Sequence, residues 1–173
     1  MYRYLIAGLM LITLTFVACR KDTPVTAESQ PGCSTAKSAS TEPQYHPQVV
    51  MVIAPQNFRD EEYFVPKKIF TASGIKVLTA ASTKDECTGM FGGKVKPDLL
   101  LTEVKVPESV AIIFVGGNGA RIYFDNPQAL SLAKETITEA KILGAICLAP
   151  VILAKAGVLK DKKATVFYSE KIR

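Results

Sequence analysis

The sequence predicts an α/β protein built on one mainly parallel sheet with helices on both faces. Three observations carry this expectation. An unbroken run of six apolar residues, rich in β-branched side chains, at 49–54 has the pattern of a strand buried on both sides, and further apolar-rich stretches recur at 75–80, 111–115 and 142–146. Stretches with apolar residues at helical spacing separate several of them. Strand and helix in alternation imply right-handed crossovers and therefore parallel neighbours.

The first 48 residues differ from the rest in composition. Residues 1–3 carry one positive charge, and 5–17 form an apolar run of thirteen residues. That is shorter than the roughly 17–25 residues of a membrane-spanning helix, and it reads as a secretory signal. The run ends Phe16-Val17-Ala18-Cys19, which resembles a bacterial lipobox. The expected organisation is a lipoprotein signal peptide over 1–18, a lipidated, disordered tether over 19–48 starting at Cys19, and a folded domain over 49–173. Residues 20–48 are mostly Ser, Thr, Pro, Gln, Ala and Lys, with little to bury against the entropy of ordering. The expected place is the cell envelope, lipid-anchored on the extracytoplasmic side of a bacterial membrane. His46, the one histidine, falls at the end of the tether and is excluded from the chemistry.

Within the domain, strand one is expected at 49–54, closed by Pro55. A helix over 60–73 follows, with Phe64, Val65, Ile69 and Ala72 as its apolar face and Gly74 as its stop. Strand two is 75–80. The glycines at 89, 92 and 93 and the mixed stretch 95–106 suggest a side hairpin. Strand three, 111–115, runs into Gly116-Gly117-Asn118-Gly119-Ala120. Asp125 or Asn126 caps the next helix with Pro127 in its first turn, and Leu130, Ala133, Ile137 and Ala140 give its apolar face. Strand four is 142–146, followed by Cys147, a short helix over 150–156 closed by Gly157, and a fifth strand at 164–167. The expected architecture is a flavodoxin-like three-layer sandwich with main strands in the order 2-1-3-4-5.

At 173 residues, 48% hydrophobic and 21% charged, the chain has room for one core. The net charge of +5 is spread over lysine pairs such as Lys67-Lys68 and Lys162-Lys163, with carboxylates between most of them and no interleaved aromatics. This is a solvated surface, and no nucleic-acid partner is expected. The glycine loop lacks the third glycine of a dinucleotide fingerprint and the Lys-Ser or Lys-Thr of a phosphate loop. Neither a cofactor nor a metal is expected.

Open parallel sheets bind and react at the carboxyl ends of their strands. Asp60-Glu61-Glu62, the loop 116–119 and Cys147 lie just past the ends of strands one, three and four, and are expected to converge. Ala145-Ile146-Cys147-Leu148-Ala149 places small residues two before and two after the cysteine, the pattern of a nucleophile elbow. A following helix N-terminus would favour thiolate. A small buried cysteine filling a gap is the alternative. Amides of Gly117 and Leu148 are candidates to face an anion beside the sulfur, although the glycines serve a tight turn equally well.

The apolar first strand, the acids before Pro66, the Gly-Gly-Asn-Gly-Ala loop and the run Gly144-Ala145-Ile146-Cys147-Leu148-Ala149-Pro150 together resemble the ThiJ/PfpI family. The resemblance extends over nearly all of 49–173. It implies a flavodoxin-like fold, frequent homodimers and a reactive elbow cysteine. By position Cys147 matches the reactive cysteine, Glu62 the glutamate four residues before Pro66, and Gly117 and Leu148 the residues whose amides face the sulfur. A carboxylate and a thiolate in contact are not both ionised cheaply, so Glu62 is expected to stay protonated and donate to a low-pKa sulfur. Asp60 and Glu61 are expected to be solvated helix-start acids.

Two departures from the family pattern bear on function. Protease-like members carry histidine directly after the cysteine, where this chain has Leu148. Deglycase-like members have one on the next strand, at a position matching Phe167. Proteolysis by a Cys–His pair is therefore not expected. Relatives also continue past the fifth strand, so the domain is expected to be truncated at its C-terminus. Cys33 and Cys87 could pair in an oxidising compartment, although nothing in the sequence fixes their geometry.

Three functions stay open. One is an enzyme in which Cys147 attacks a small-molecule carbonyl, of the deglycase or glyoxalase type, with Glu62 moving the proton. Another is a non-enzymatic redox or stress-responsive binding protein whose cysteine meets an oxidant. The third is a degenerate member of the family.

Overall fold

In the computed structural model the described residues are 47–167. Contacts divide the chain into Met1–Ser40 and Thr41–Arg173, and all the described residues lie in the second unit. The signal peptide, Cys19, Cys33, His46 and most of the tether fall outside them.

Among the described residues eight strands and three α-helices follow in chain order: β1 (Gln48–Val52), β2 (Gln56–Phe58), α1 (Asp60–Ala72), β3 (Lys76–Ala81), β4 (Cys87–Gly89), β5 (Lys94–Val95), β6 (Leu99–Leu100), β7 (Ala111–Phe114), α2 (Pro127–Thr138), β8 (Ile142–Ala145) and α3 (Pro150–Lys155). The main sheet runs β6-β3-β1-β7-β8 and every pairing in it is parallel. The four expected main strands thus stand in the order two, one, three, four, and β6 adds an edge beside β3.

Alternation along β1 divides its side chains between two cores. Val50, Val52 and Ala54 join Ile112 and Phe114 in packing against α2 and α3, through Leu132, Ala133, Ile152 and Leu153. Val49, Met51 and Ile53 face the other way, toward Phe58, Tyr63 and, at the margin, Phe70. This gives three layers, with α1 on one face of the sheet and α2 and α3 on the other. All three helices end in a residue with positive φ just past the cap: Gly74, Gly157 and, unusually for a residue with a Cβ, Ala140 at 53°.

Four expectations need correction. Phe64, Val65 and Ile69 are exposed at 41%, 54% and 58%; α1 turns inward the face that carries Asp60 and Tyr63 instead. Tyr63 is buried because its ring packs edge-on against Phe58 at 5.7 Å, while its hydroxyl meets Thr79 Oγ1 at 2.7 Å and accepts from Lys67 Nζ at 2.6 Å. In α2 the inward residues are Ala129, Leu132, Ala133 and Thr136, whereas Ile137 is exposed and Ala140 lies past the helix end. Thr136 is buried because its hydroxyl bonds back to the Leu132 carbonyl at 2.7 Å.

The side hairpin is β4–β5, with the glycines in its turn, and β2 adds to β4 to make a small three-stranded sheet. The stretch 95–106 instead supplies β6 and leads into short 3₁₀ turns. Residues 164–167 form no strand. An exposed turn rich in lysine follows α3, and the Phe167 N–H donates to the Cys147 carbonyl at 2.9 Å. Among the described residues β8 is therefore the edge of the sheet, with Ile142 exposed.

Candidate active site

The three expected loops meet at the carboxyl ends of β1, β7 and β8. Cys147 follows β8 with φ +59°, a left-handed conformation that a side chain adopts only under constraint. The constraint is local: the Ala149 N–H bonds back to Ile146 O at 3.0 Å, Leu148 and Ala149 are buried in the core, and the Cys147 carbonyl is held by Phe167. The thiol is left partly exposed.

Glu62 reaches the same point from the first turn of α1. Its Oε2 accepts from the Gly116 N–H at 3.0 Å, and its carboxyl is hydrogen-bonded to the Cys147 thiol. Pro66 cannot donate to the Glu62 carbonyl, so this turn of the helix lacks one of its bonds. Gly116 permits the approach, since a Cβ there would lie 2.6 Å from both Cys147 Cβ and Glu62 Oε2. Gly117, at φ +91°, packs against the backbone of Asn57, Phe58 and Arg59 with no room for a side chain. Its backbone and that of Leu148 hydrogen-bond the Cys147 sulfur itself.

Burial pushes the Glu62 carboxyl above its ordinary range, against the lowering effects of the Cys147 and Gly116 bonds and the Arg59 charge. Burial likewise pushes the Cys147 thiol up; the Gly117 amide opposes it, the Glu62 charge adds to it and the Leu148 amide opposes it. The expected depression of the thiol is thus not what the free pocket shows. The helix behind it, α3, has only six residues and begins three positions past the sulfur. Burial makes the doubly ionised pair costly, so each group when ionised strengthens the other's hold on its proton.

These groups open into a cavity of about 580 Å³. Glu62, Gly117, Cys147 and Leu148 line it together with Arg59, Met90, Asn118, Ile146 and Phe167. Asp60 takes a structural position instead. It is 8% exposed, and its carboxylate accepts from the amides of Phe91 at 2.9 Å and Gly93 at 2.7 Å, pinning the β4–β5 turn to α1. Glu61 is exposed, as expected of a helix-start acid, and pairs with Arg59. Cys87 is a free thiol with no exposure, held up to about 11 by burial and by the charge of Asp85. Cys33, its possible partner in the sequence reading, lies outside the described residues. Among the described residues no cluster of three or more His, Cys, Asp or Glu is placed to hold a metal.

Residues 47–173 match the DJ-1/PfpI family. The chain belongs to that family. Over 136 residues it is 43% identical to an uncharacterized protein of Methanocaldococcus jannaschii, covering 78% of this chain and 66% of the relative. Over 118 residues it is 33% identical to the deglycase PfpI of Pyrococcus furiosus, covering 68% of this chain and 71% of the relative. The chain thus spans about two thirds of the length of these curated relatives. Among solved structures, a ThiJ/PfpI domain protein from Brachyspira murdochii superposes with a TM-score of 0.69 at 35% identity, covering 70% of each chain.

Sequence reasoning missed several residues of the pocket in this DJ-1/PfpI chain. Met90 sits on a turn whose course is set by Asp60, so no periodicity marks it, whereas Asn118 belongs to the glycine loop expected at the site. Arg59 did leave a signal: it directly precedes the acidic turn, where the N-cap of α1 had to fall.

Proposed function

We propose that this DJ-1/PfpI protein performs cysteine-dependent chemistry on small reactive carbonyl compounds, of the deglycase or glyoxalase type. The observation that carries the reading is the convergence of the Cys147 thiol, the Glu62 carboxyl and the Gly117 and Leu148 backbones on one largely apolar cavity. Cys147 Sγ adds to the carbonyl carbon, forming an S–C bond as the C=O π pair moves to oxygen. The thiol proton passes through Glu62 to that oxygen, giving a neutral thiohemiacetal. Glu62 suits the transfer because it is hydrogen-bonded to the thiol and burial raises its affinity for a proton. The elbow exposes the sulfur, and the backbone bonds to it offset part of its burial.

Deglycase relatives among those compared support the reading. Cys147→Ala decides it: the intact protein consumes methylglyoxal, followed by loss of the dicarbonyl, and the variant does not. Equal loss in both ends the proposal.

A second reading rests on the bonds to the sulfur. Backbone groups of Gly117 and Leu148 and the carboxyl of Glu62 would equally hold a sulfinate formed from Cys147 by a peroxide, which supplies the oxidant. Mass spectrometry after mild peroxide then shows Cys147 gaining two oxygens ahead of Cys87; matched oxidation of both rules this out.

The assembly and location belong to the same proposal. The exposed Phe64, Val65 and Ile69 on α1 offer a surface for a homodimer, and the lipobox-like Cys19 is the site for a lipid that tethers the domain to the membrane. Metabolic labelling with a fatty-acid analogue in a bacterial host tests the tether, with Cys19→Ala expected to abolish incorporation.

A further inference from the structure

Arg59 is held at the rim of the cavity by four contacts. Its backbone N–H donates to the Gly116 carbonyl at 3.1 Å. Its main chain also packs against Gly117, on the loop that bonds the sulfur. Its Nε–H donates to Glu61 Oε2 at 2.9 Å, and the ring of Phe91 lies under the guanidinium at 4.7 Å. Phe91 is itself fixed, because its amide is one of the two that bind Asp60. The guanidinium is therefore placed by the same loops that build the sulfur site, with both terminal amino groups left available.

The other charged residue lining the cavity is Glu62, and the rest of its lining is apolar or uncharged. The Arg59 charge reaches the Glu62 carboxyl and acts on its proton affinity. A planar guanidinium with free amino groups beside a reactive sulfur fits a carboxylate on the molecule the sulfur attacks.

We infer that Arg59 makes this pocket selective for carbonyl compounds carrying a carboxylate, binding that group while the carbonyl carbon meets the Cys147 sulfur. The inference rests on the carbonyl chemistry proposed above for its substrate class. The bond made is the S–C bond of a thiohemiacetal, with the thiol proton delivered to the carbonyl oxygen, so no further reactant is needed.

Two alkylating agents of nearly equal size, iodoacetate and iodoacetamide, differ in the carboxylate and test the selectivity without carbonyl turnover. The ratio of their rates at Cys147, read by peptide mass spectrometry, is expected to fall about fivefold in Arg59→Met, the scale of a partly exposed ion pair. It is expected to return in Arg59→Lys and to shrink in the wild type as salt rises. Glyoxylate should protect Cys147 at lower concentration than methylglyoxal in the wild type, with the difference lost in Arg59→Met. An equal iodoacetate-to-iodoacetamide ratio in all three proteins overturns the inference. Failure of methylglyoxal consumption with the ratio effect intact removes the catalytic reading and leaves the anion selectivity standing. Turnover with an unchanged ratio does the reverse.

Discussion

The backbone N–H of Phe167 donates to the carbonyl of Cys147 at 2.9 Å, tying the last described residue of the chain to the cysteine elbow. Position 167 is thereby fixed on the wall of the cavity, where the Phe167 side chain now lies. An imidazole placed there faces the site as a base. Phe167→His is expected to raise methylglyoxal consumption by at least about tenfold, short of the roughly hundredfold or more that a fully positioned base contributes. Steady-state rates at pH 7 check it; an unchanged rate shows that position 167 does not reach the reacting atoms.

Glu62 and Cys147 each hold the other's proton more tightly when ionised. Part of what raises the thiol is the Glu62 charge, so removing that charge makes the thiolate easier to form. Glu62→Gln should therefore move the midpoint of the pH–alkylation profile of Cys147 downward. An upward or absent shift means that the two groups are not in electrostatic contact. Folding stability carries a matching sign. A carboxyl that binds its proton more tightly when folded contributes less stability as pH rises from its ordinary value through its folded one. The glutamine variant loses that slope, which urea titrations at several pH values measure.

Cys87 is expected to stay unmodified in the folded protein while Cys147 reacts. Its thiol is fully buried and held near 11, so between the ordinary value of 9.0 and about 11 the unfolded chain ionises and the folded one does not. Stability then falls with rising pH across that interval. Iodoacetamide labelling followed by peptide mapping should give a Cys87 adduct only once denaturant is added.

Asp60→Ala leaves two amide donors without their partner and is expected to cost about 1–3 kcal/mol, read from the shift in urea midpoint. The loss should extend to function, because Phe91 and Met90 sit on the freed turn. Asp60→Asn, which keeps one acceptor oxygen, is expected to fall between the two.

Ile69→Glu places a charge in the exposed apolar stripe of α1. If that stripe joins two copies, sedimentation shows a dimer for the wild type and a monomer for the variant, with the folded core unaffected because Ile69 is 58% exposed. A monomeric wild type removes the dimer from the proposal.

Much of the sheet was legible because its strands are rich in apolar residues, and β1, β3, β7 and β8 fall within a residue or two of the stretches read as strands. The helix faces were harder. Counting apolar residues puts Phe64, Val65 and Ile69 inward, whereas Tyr63 and Asp60 win the interior by satisfying their polar atoms there, and sequence spacing does not register hydrogen bonds. The meeting of Glu62, Gly117 and Cys147 followed from strand-end positions and the family resemblance. The proton affinity of the thiol did not follow, since it depends on burial. The side sheet and the course of 161–167 rest on contacts between distant residues that no local pattern encodes.

Asp60, Gly89 and Gly93 form one unit of substitution. A Cβ at either glycine would run into the Asp60 carboxylate, and the carboxylate in turn needs the Gly93 amide. A lineage that replaced the aspartate with a small residue would free position 89, and position 93 once the Phe64 ring also moved, whereas a lineage that filled either glycine first would have to give up the aspartate. Between two such chains the three positions should change together, so chimeras that mix them ought to fold worse than either parent.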